Sequence, residues 1–176
     1  MPDESRLTRF ETTVLVHLDA AWRFARWMVG DQALAEDALQ DACVNALRGF
    51  ESRTGSSARG WFMAVVRNAC LDVLRDRRRR SVEDPWDEAV HAHAATSESV
   101  EDTVLRESEA RWMRAEIARL PGEFREVIVL RELEELSYRE ISEVVRVPMG
   151  TVMSRLARAR EMLAERVRTR ARKEQA

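Results

Sequence analysis

The stretch SYREISEVVRVPMGTVMSRLARAR, residues 137–160, reads as two short helices joined by a tight turn. Ser137 followed three residues later by Glu140 has the S-x-x-E form of a capping box, which fixes where the first of them begins. Ile141, Val144 and Val145 recur at helical spacing and can pack against Val152 and Leu156 across the turn. Pro148 cannot continue a helix, and Gly150 tolerates the backbone of a turn. The second helix is studded with arginines. In a helix-turn-helix the first helix braces on the DNA backbone and the second enters the major groove by its N-terminal half. That geometry makes Thr151, Met153, Ser154, Arg155 and Arg158 the groove-side candidates. Arginine pairs bidentately with guanine, and hydroxyls suit phosphates or either base. Tyr138 and Arg139 open the supporting helix, where backbone amides and a cation meet phosphate. The plainer alternative is a structural hairpin with a solvated basic face. The turn, the capping box and the basic second helix occurring together favour DNA.

Working outward, the 176-residue chain suits one ordinary domain or two small ones, and its formal net charge is -2. The average conceals blocks. Residues 53–80 carry Arg53, Arg59, Arg67, Arg75 and Arg77 to Arg80 against Asp72 and Asp76. Carboxylates then crowd the stretch from Glu83 to Glu109 against Arg106, and Arg155 through Lys173 is basic again. Glycine and proline are scarce and strand-like alternation is nearly absent. Helical periodicity runs over 11–29 and stops at Gly30; Asp31 then caps a helix to about Arg48 with Ala35, Ala38, Leu39, Ala42 and Ala46 on one face. A loop at 49–58 precedes a helix at about 59–79 with Phe62, Val65, Val66, Ala69 and Val73 buried. Residues 81–110 begin as an acidic linker without period, and helicity returns from about Val100 to Leu120. Further helices are expected at about 123–134, 137–145 and 150–170. The expectation is all-α: two small helical domains, 1–80 and 111–176, on a flexible acidic tether at 81–110.

The residues argue against catalysis. No P-loop, G-x-S-x-G or H-E-x-x-H occurs. The histidines are His17, inside a helical pattern, and His91-x-His93, two imidazoles without cysteine partners and a weak metal signal. Cys43 and Cys70 lie in apolar helical patterns, as inert free thiols do. No cofactor is expected. The polar start MPDESRLTRF and the absence of a long apolar run imply a cytoplasmic chain without membrane insertion.

The segment LPGEFREVIVLRELEELSYREISEVVRVPMGTVMSRLARARE, residues 120–161, resembles region 4 of the extracytoplasmic-function (ECF) group of sigma-70 family sigma factors. AEDALQDACVNALRGF is similar to region 2.1–2.2 and ARGWFMAVVRNACLDVLRDRRRR to regions 2.3–2.4. Both domains are thus matched, in order. The resemblance implies a subunit that binds core RNA polymerase, recognises the -35 and -10 promoter elements, assists melting and directs initiation. Asp37, Gln40 and Asp41 share a face opposite the alanine stripe; the resemblance implies that this face docks on the clamp helices of the largest polymerase subunit. Asn68, Asp72, Arg75 and Arg79 follow 4-, 3- and 4-residue steps on one helix face, which the resemblance assigns to the -10 element. There the 50–58 loop would hold a flipped base, with Phe50 and Trp61 as aromatic walls or simply core. The helix-turn-helix would read the -35 element, with Met153 standing where relatives often carry Lys or Arg. The acidic linker is either a soluble spacer or a strand threading a basic polymerase channel. An anti-sigma factor is the expected regulatory partner. The alternative is a stand-alone helix-turn-helix regulator, although residues 1–80 lack the strands of a receiver domain.

Overall fold

The computed structural model describes residues 2–53, 57–83 and 104–174. All its elements are helical, with no strand among the described residues. The first half comprises α1 (Pro2–Thr13), α2 (Leu18–Val29), α3 (Gln32–Gly49) and α4 (Ala58–Glu83). The second comprises α5 (Val104–Ala118), α6 (Gly122–Ile128), α7 (Tyr138–Val145) and α8 (Met149–Glu174). The acidic stretch with His91 and His93, and the centre of the 49–58 loop, lie outside the described residues.

Local chemistry sets most boundaries. Gly30 ends α2 in the left-handed region at φ +76°, and its N–H reaches the Arg26 carbonyl at 2.9 Å. Asp31 then caps α3, accepting from the Leu34 N–H at 2.9 Å. The helix expected over 11–29 is broken by a 3-10 turn, Leu15–His17, which separates α1 from α2. The polar start of the chain is itself helical. It is anchored by Phe10, whose ring meets Phe50 edge-on at 5.5 Å between centroids. Phe50 is therefore core.

Helices α2, α3 and α4 form a three-helix bundle. Ala35, Ala38, Ala42 and Ala46 are all fully buried, and their small side chains let α3 approach its neighbours closely. Phe24, Phe62, Met63 and Val66 fill the centre. In the second half, α6, α7 and α8 enclose Val127, Leu130, Ile141, Val144, Val152 and Leu156. A π-helical turn, Val129–Leu133, follows α6. The N-terminal end of α8 begins a residue before Gly150, so this glycine is helical, and the left-handed residue of the turn is Arg146 at φ +56°. Ser142 fastens the turn by donating to the Val147 carbonyl at 2.6 Å.

The two halves pack on each other, chiefly α4 against α7 and α2 against α6. Their buried residues form one continuous core. The contact has a polar centre. Glu126 of α6 is 4% exposed and accepts from Arg67 of α4 at 2.7 and 3.2 Å. Glu134, 1% exposed, accepts from Arg23 of α2 at 2.8 and 3.0 Å and pairs with Arg59 of α4 at 3.6 Å. Such carboxylates tolerate burial only when paired. Both cations set against Glu134 come from the first half of the chain.

Candidate nucleic-acid interface

Helix α7 begins with the full capping box: Ser137 Oγ accepts from the Glu140 N–H, and Glu140 Oε2 accepts from the Ser137 N–H at 2.9 Å. The same carboxylate accepts from Ser57 Oγ at 2.7 Å, while Ser57 Oγ accepts from the Gly60 N–H at 2.9 Å at the start of α4. One side chain thus joins the first turns of two helices from opposite halves of the chain. Burial opposes ionisation of Glu140. The hydrogen bonds from Ser137 and Ser57, with Arg59 nearby, nevertheless hold its carboxyl below the ordinary value.

The candidates of the second helix fall into two groups. Met153, Ser154 and Arg158 face solvent, and Met153 is 51% exposed. Arg158 pairs with Glu161 one turn along, and Ser154 Oγ donates to the Thr151 carbonyl at 3.0 Å. Thr151 is half-buried. Arg155 is turned inward, its side chain 21% exposed, pairing with Glu123 at 3.0 Å and Glu126 at 3.5 Å. On α7, Arg139 is exposed and pairs with Glu143 at 3.5 Å. Tyr138 is half-buried under the Arg131 guanidinium, 5.1 Å from its ring centre.

On α4 the four candidates do not share one environment. Asp72 pairs with Arg75, and Arg79 pairs with Asp76 at 3.2 Å, all on the exposed surface. Asn68 lies in a cleft of about 320 Å³ between α4 and α7, lined also by Gly60, Trp61, Val65, Glu143 and Arg146. Trp61 is half-buried at its edge.

Asp37, Gln40 and Asp41 are all exposed on α3, opposite the buried alanines. Val44 extends the row by one turn and is 48% exposed, an apolar residue left in water at the end of an acidic strip. The sequence held this signal, since 37, 40, 41 and 44 obey the i, i+3, i+4, i+7 pattern.

Elsewhere the chemistry is quiet. The thiols are free; burial pushes Cys70 up to about 12 and raises Cys43 as well. No group of three or more metal-ligating side chains occurs among the described residues. No described helix is long and apolar enough to cross a membrane.

Comparison with known proteins places both halves. Residues 13–80 match the family model of sigma-70 region 2, and residues 110–163 that of sigma-70 region 4. The chain is 29% identical over 166 residues to the ECF RNA polymerase sigma factor SigE of Mycolicibacterium smegmatis, covering 93% of this chain and 63% of the relative. It is 33% identical over 138 residues to the ECF RNA polymerase sigma-E factor of Haemophilus influenzae, covering 74% and 73%. With the ECF RNA polymerase sigma factor SigW of Bacillus subtilis it shares 28% over 166 residues, covering 90% and 89%. Among solved structures, the sigma factor RpoE in complex with the anti-sigma factor NepR from Bartonella quintana superimposes with a TM-score of 0.70 at 26% identity, covering 88% of this chain and 93% of that one. CnrH in complex with the cytosolic domain of CnrY shares the fold, with a TM-score of 0.60 at 20% identity over 88% and 84% of the two chains.

Proposed function

Since the chain belongs to the ECF group of the sigma-70 family of RNA polymerase sigma factors, we propose how its surfaces divide the work of initiation. The exposed row Asp37, Gln40, Asp41 on α3, extended by Val44, is the docking face for the clamp helices of the largest polymerase subunit. An acidic strip with one apolar residue suits a basic, amphipathic partner helix. The 50–58 loop and α4 handle the -10 element, with Asn68 reading a base edge and Arg75 and Arg79 meeting phosphates beside Asp72. Residues Tyr138 and Arg139 brace on the backbone at the -35 element. Thr151, Met153, Ser154, Arg155 and Arg158 supply the groove side, where Met153 suits a thymine methyl. We take residues 1–80 as the region 2 unit, 111–176 as the region 4 unit and 81–110 as their tether.

In this reading the chain performs no bond chemistry; that belongs to the polymerase, with which it works in the cytoplasm. An anti-sigma factor is its regulatory partner, a proposal supported by the likeness to RpoE held by NepR. The observation that carries the whole is the pair of sigma-70 regions matched in order along one chain.

The test is co-purification with core polymerase followed by run-off transcription, comparing the wild type with the double variant Asp37→Lys, Asp41→Lys. The wild type should form a holoenzyme and start transcripts, and the variant should keep its helical circular dichroism but lose core binding. Retained binding by the variant would remove the α3 assignment. Tight promoter binding by the chain alone, with no transcription on adding core, would favour the stand-alone regulator.

A further inference from the structure

A helix-turn-helix reads sequence with the N-terminal half of its second helix, and in α8 that half carries no exposed cation before Arg158. The exposed positions are Met149, Gly150, Met153, Ser154, Ala157 and Arg158, which recur in steps of one and three and so form a single stripe. Between them Thr151 and Arg155 are half-buried, and Val152 and Leu156 are buried in the core. Arg155 is turned inward to Glu123 and Glu126, at 3.0 and 3.5 Å, and Arg158 pairs with Glu161. Other cations lie around the stripe. Arg139 is in the first turn of α7 and Arg146 ends that helix, both exposed.

The chemistry of the stripe suits methyl groups. Met149 and Met153 are each 51% exposed and stand one turn apart, so their side chains are neighbours. A single exposed apolar side chain is ordinary. Two together at the leading end of a DNA-facing helix make an apolar patch where arginine or glutamine would bring donors. An unbranched thioether is soft and adaptable, and fills the irregular space around a methyl. Gly150 lies beside them, and a Cβ added there would meet nothing within 4 Å. No described neighbour therefore requires glycine at this point, and glycine weakens a helix; its missing side chain lets the backbone come close to a base pair. Ser154 adds an acceptor. Its hydroxyl donates to the Thr151 carbonyl at 3.0 Å, which leaves its lone pairs for a base amino group.

We infer that Met149, together with Met153, determines specificity at the -35 element by reading thymine methyl groups, so that this chain selects A·T pairs facing the N-terminal half of α8. This inference rests on the sigma-factor reading above and adds Met149 to the groove side given there. In the major groove the thymine C5-methyl is the distinguishing apolar group, and its adenine partner offers an N6 amino group to an acceptor such as Ser154. A guanine in the same place presents N7 and O6, two acceptors stripped of water with no charged donor from the stripe before Arg158. Four residues of helix advance about 6 Å, under two base-pair steps of about 3.4 Å. The two methionines therefore address adjacent or next-adjacent pairs. Arg139 and Arg146 supply sequence-independent attraction from the rim, and the stripe makes the choice.

The test removes the methyl and nothing else. Holoenzyme made from the full-length chain and core polymerase selects promoters from DNA randomised at the -35 element. A selected duplex is then remade with deoxyuridine in place of each -35 thymine in turn. Burying one methyl in an apolar contact corresponds to about fourfold in affinity, so holoenzyme binding and run-off transcription should fall about fourfold at each of two thymines. Met149→Ala should abolish that sensitivity at one of them and Met153→Ala at the other. Both side chains are exposed, so helical circular dichroism should be unchanged. Selected elements that lack A·T pairs overturn the inference. So does a change below about 1.5-fold at every thymine, and so does a set of sensitivities that Met149→Ala leaves intact. Transcription from the all-thymine duplex reports separately on the sigma-factor reading, because it stands whether or not methyls are read.

Discussion

Replacing Arg67 by methionine should unsettle the molecule out of proportion to the half-buried position it occupies. Arg67 gives Glu126 two hydrogen bonds, at 2.7 and 3.2 Å, where the carboxylate side chain is 4% exposed and that of the arginine 15%. Removing one partner of a buried pair costs about 3–5 kcal/mol. Arg155 remains 3.5 Å from the same carboxylate, which favours the lower end, about 3 kcal/mol. The reverse change, Glu126→Leu, leaves an arginine whose long stem can carry its charge toward water, so about 1–2 kcal/mol is expected. Making both changes removes the charge and its partner together, and the double variant should lie within about 1 kcal/mol of wild type. The coupling is therefore about 3–6 kcal/mol. Equilibrium urea unfolding followed by circular dichroism measures it. With slopes of about 1–3 kcal/mol/M, the Arg67→Met midpoint should fall by about 1 M or more. A coupling below about 0.5 kcal/mol, the value of an exposed pair, would refute the claim that this contact is buried and specified.

Exchanging Met153 for lysine should tighten holoenzyme binding at low salt and steepen the salt dependence by about one counterion, whereas Arg158→Ala should cost about 1–3 kcal/mol at one promoter position if it reads a base. Filter binding to promoter variants across a salt series separates the two. Burial, then the nearby Arg59, lowers the pKa of His17, so between its folded value and 6.5 the unfolded chain binds the proton more readily. Stability should fall as pH drops through that window, and His17→Asn should flatten the slope in urea titrations. Cys70, pushed up to about 12, should resist a thiol reagent at pH 8 until the chain is denatured, while Cys43 should label slowly in the native state.

The helix ends were readable wherever a short stretch settles its own chemistry. Gly30 with Asp31 and Ser137 with Glu140 act within a turn or two, and the structure has each in its expected role. The turn between α7 and α8 was less transparent. Proline and glycine drew attention to 148–150, yet the left-handed residue is Arg146, a type that propensity does not favour there. The contact between the regions was the least legible, because it joins residues as distant as Arg23 and Glu134 and no local pattern links them. One hint was present. Glu126, Leu130 and Glu134 stand four apart and all three are buried, so a carboxylate at each end of an apolar row was asking for a cation from elsewhere. The candidate site divides in the same way. Exposure of Asp37, Gln40 and Asp41 followed from the alanine stripe behind them, while the inward turn of Arg155 depended on carboxylates of another helix, Glu123 and Glu126 of α6.

The buried carboxylate–arginine pairs carry one more consequence, and it concerns ionic conditions. Ions in solution screen exposed charges at a Debye length of about 8 Å in physiological salt, but reach buried pairs poorly. Promoter binding depends instead on releasing counterions from DNA and weakens steeply as salt rises. The packing of the two halves and the grip on DNA thus respond unequally to the same variable. A rise in ionic strength would therefore loosen the grip on DNA more than it loosens the packing of the two halves.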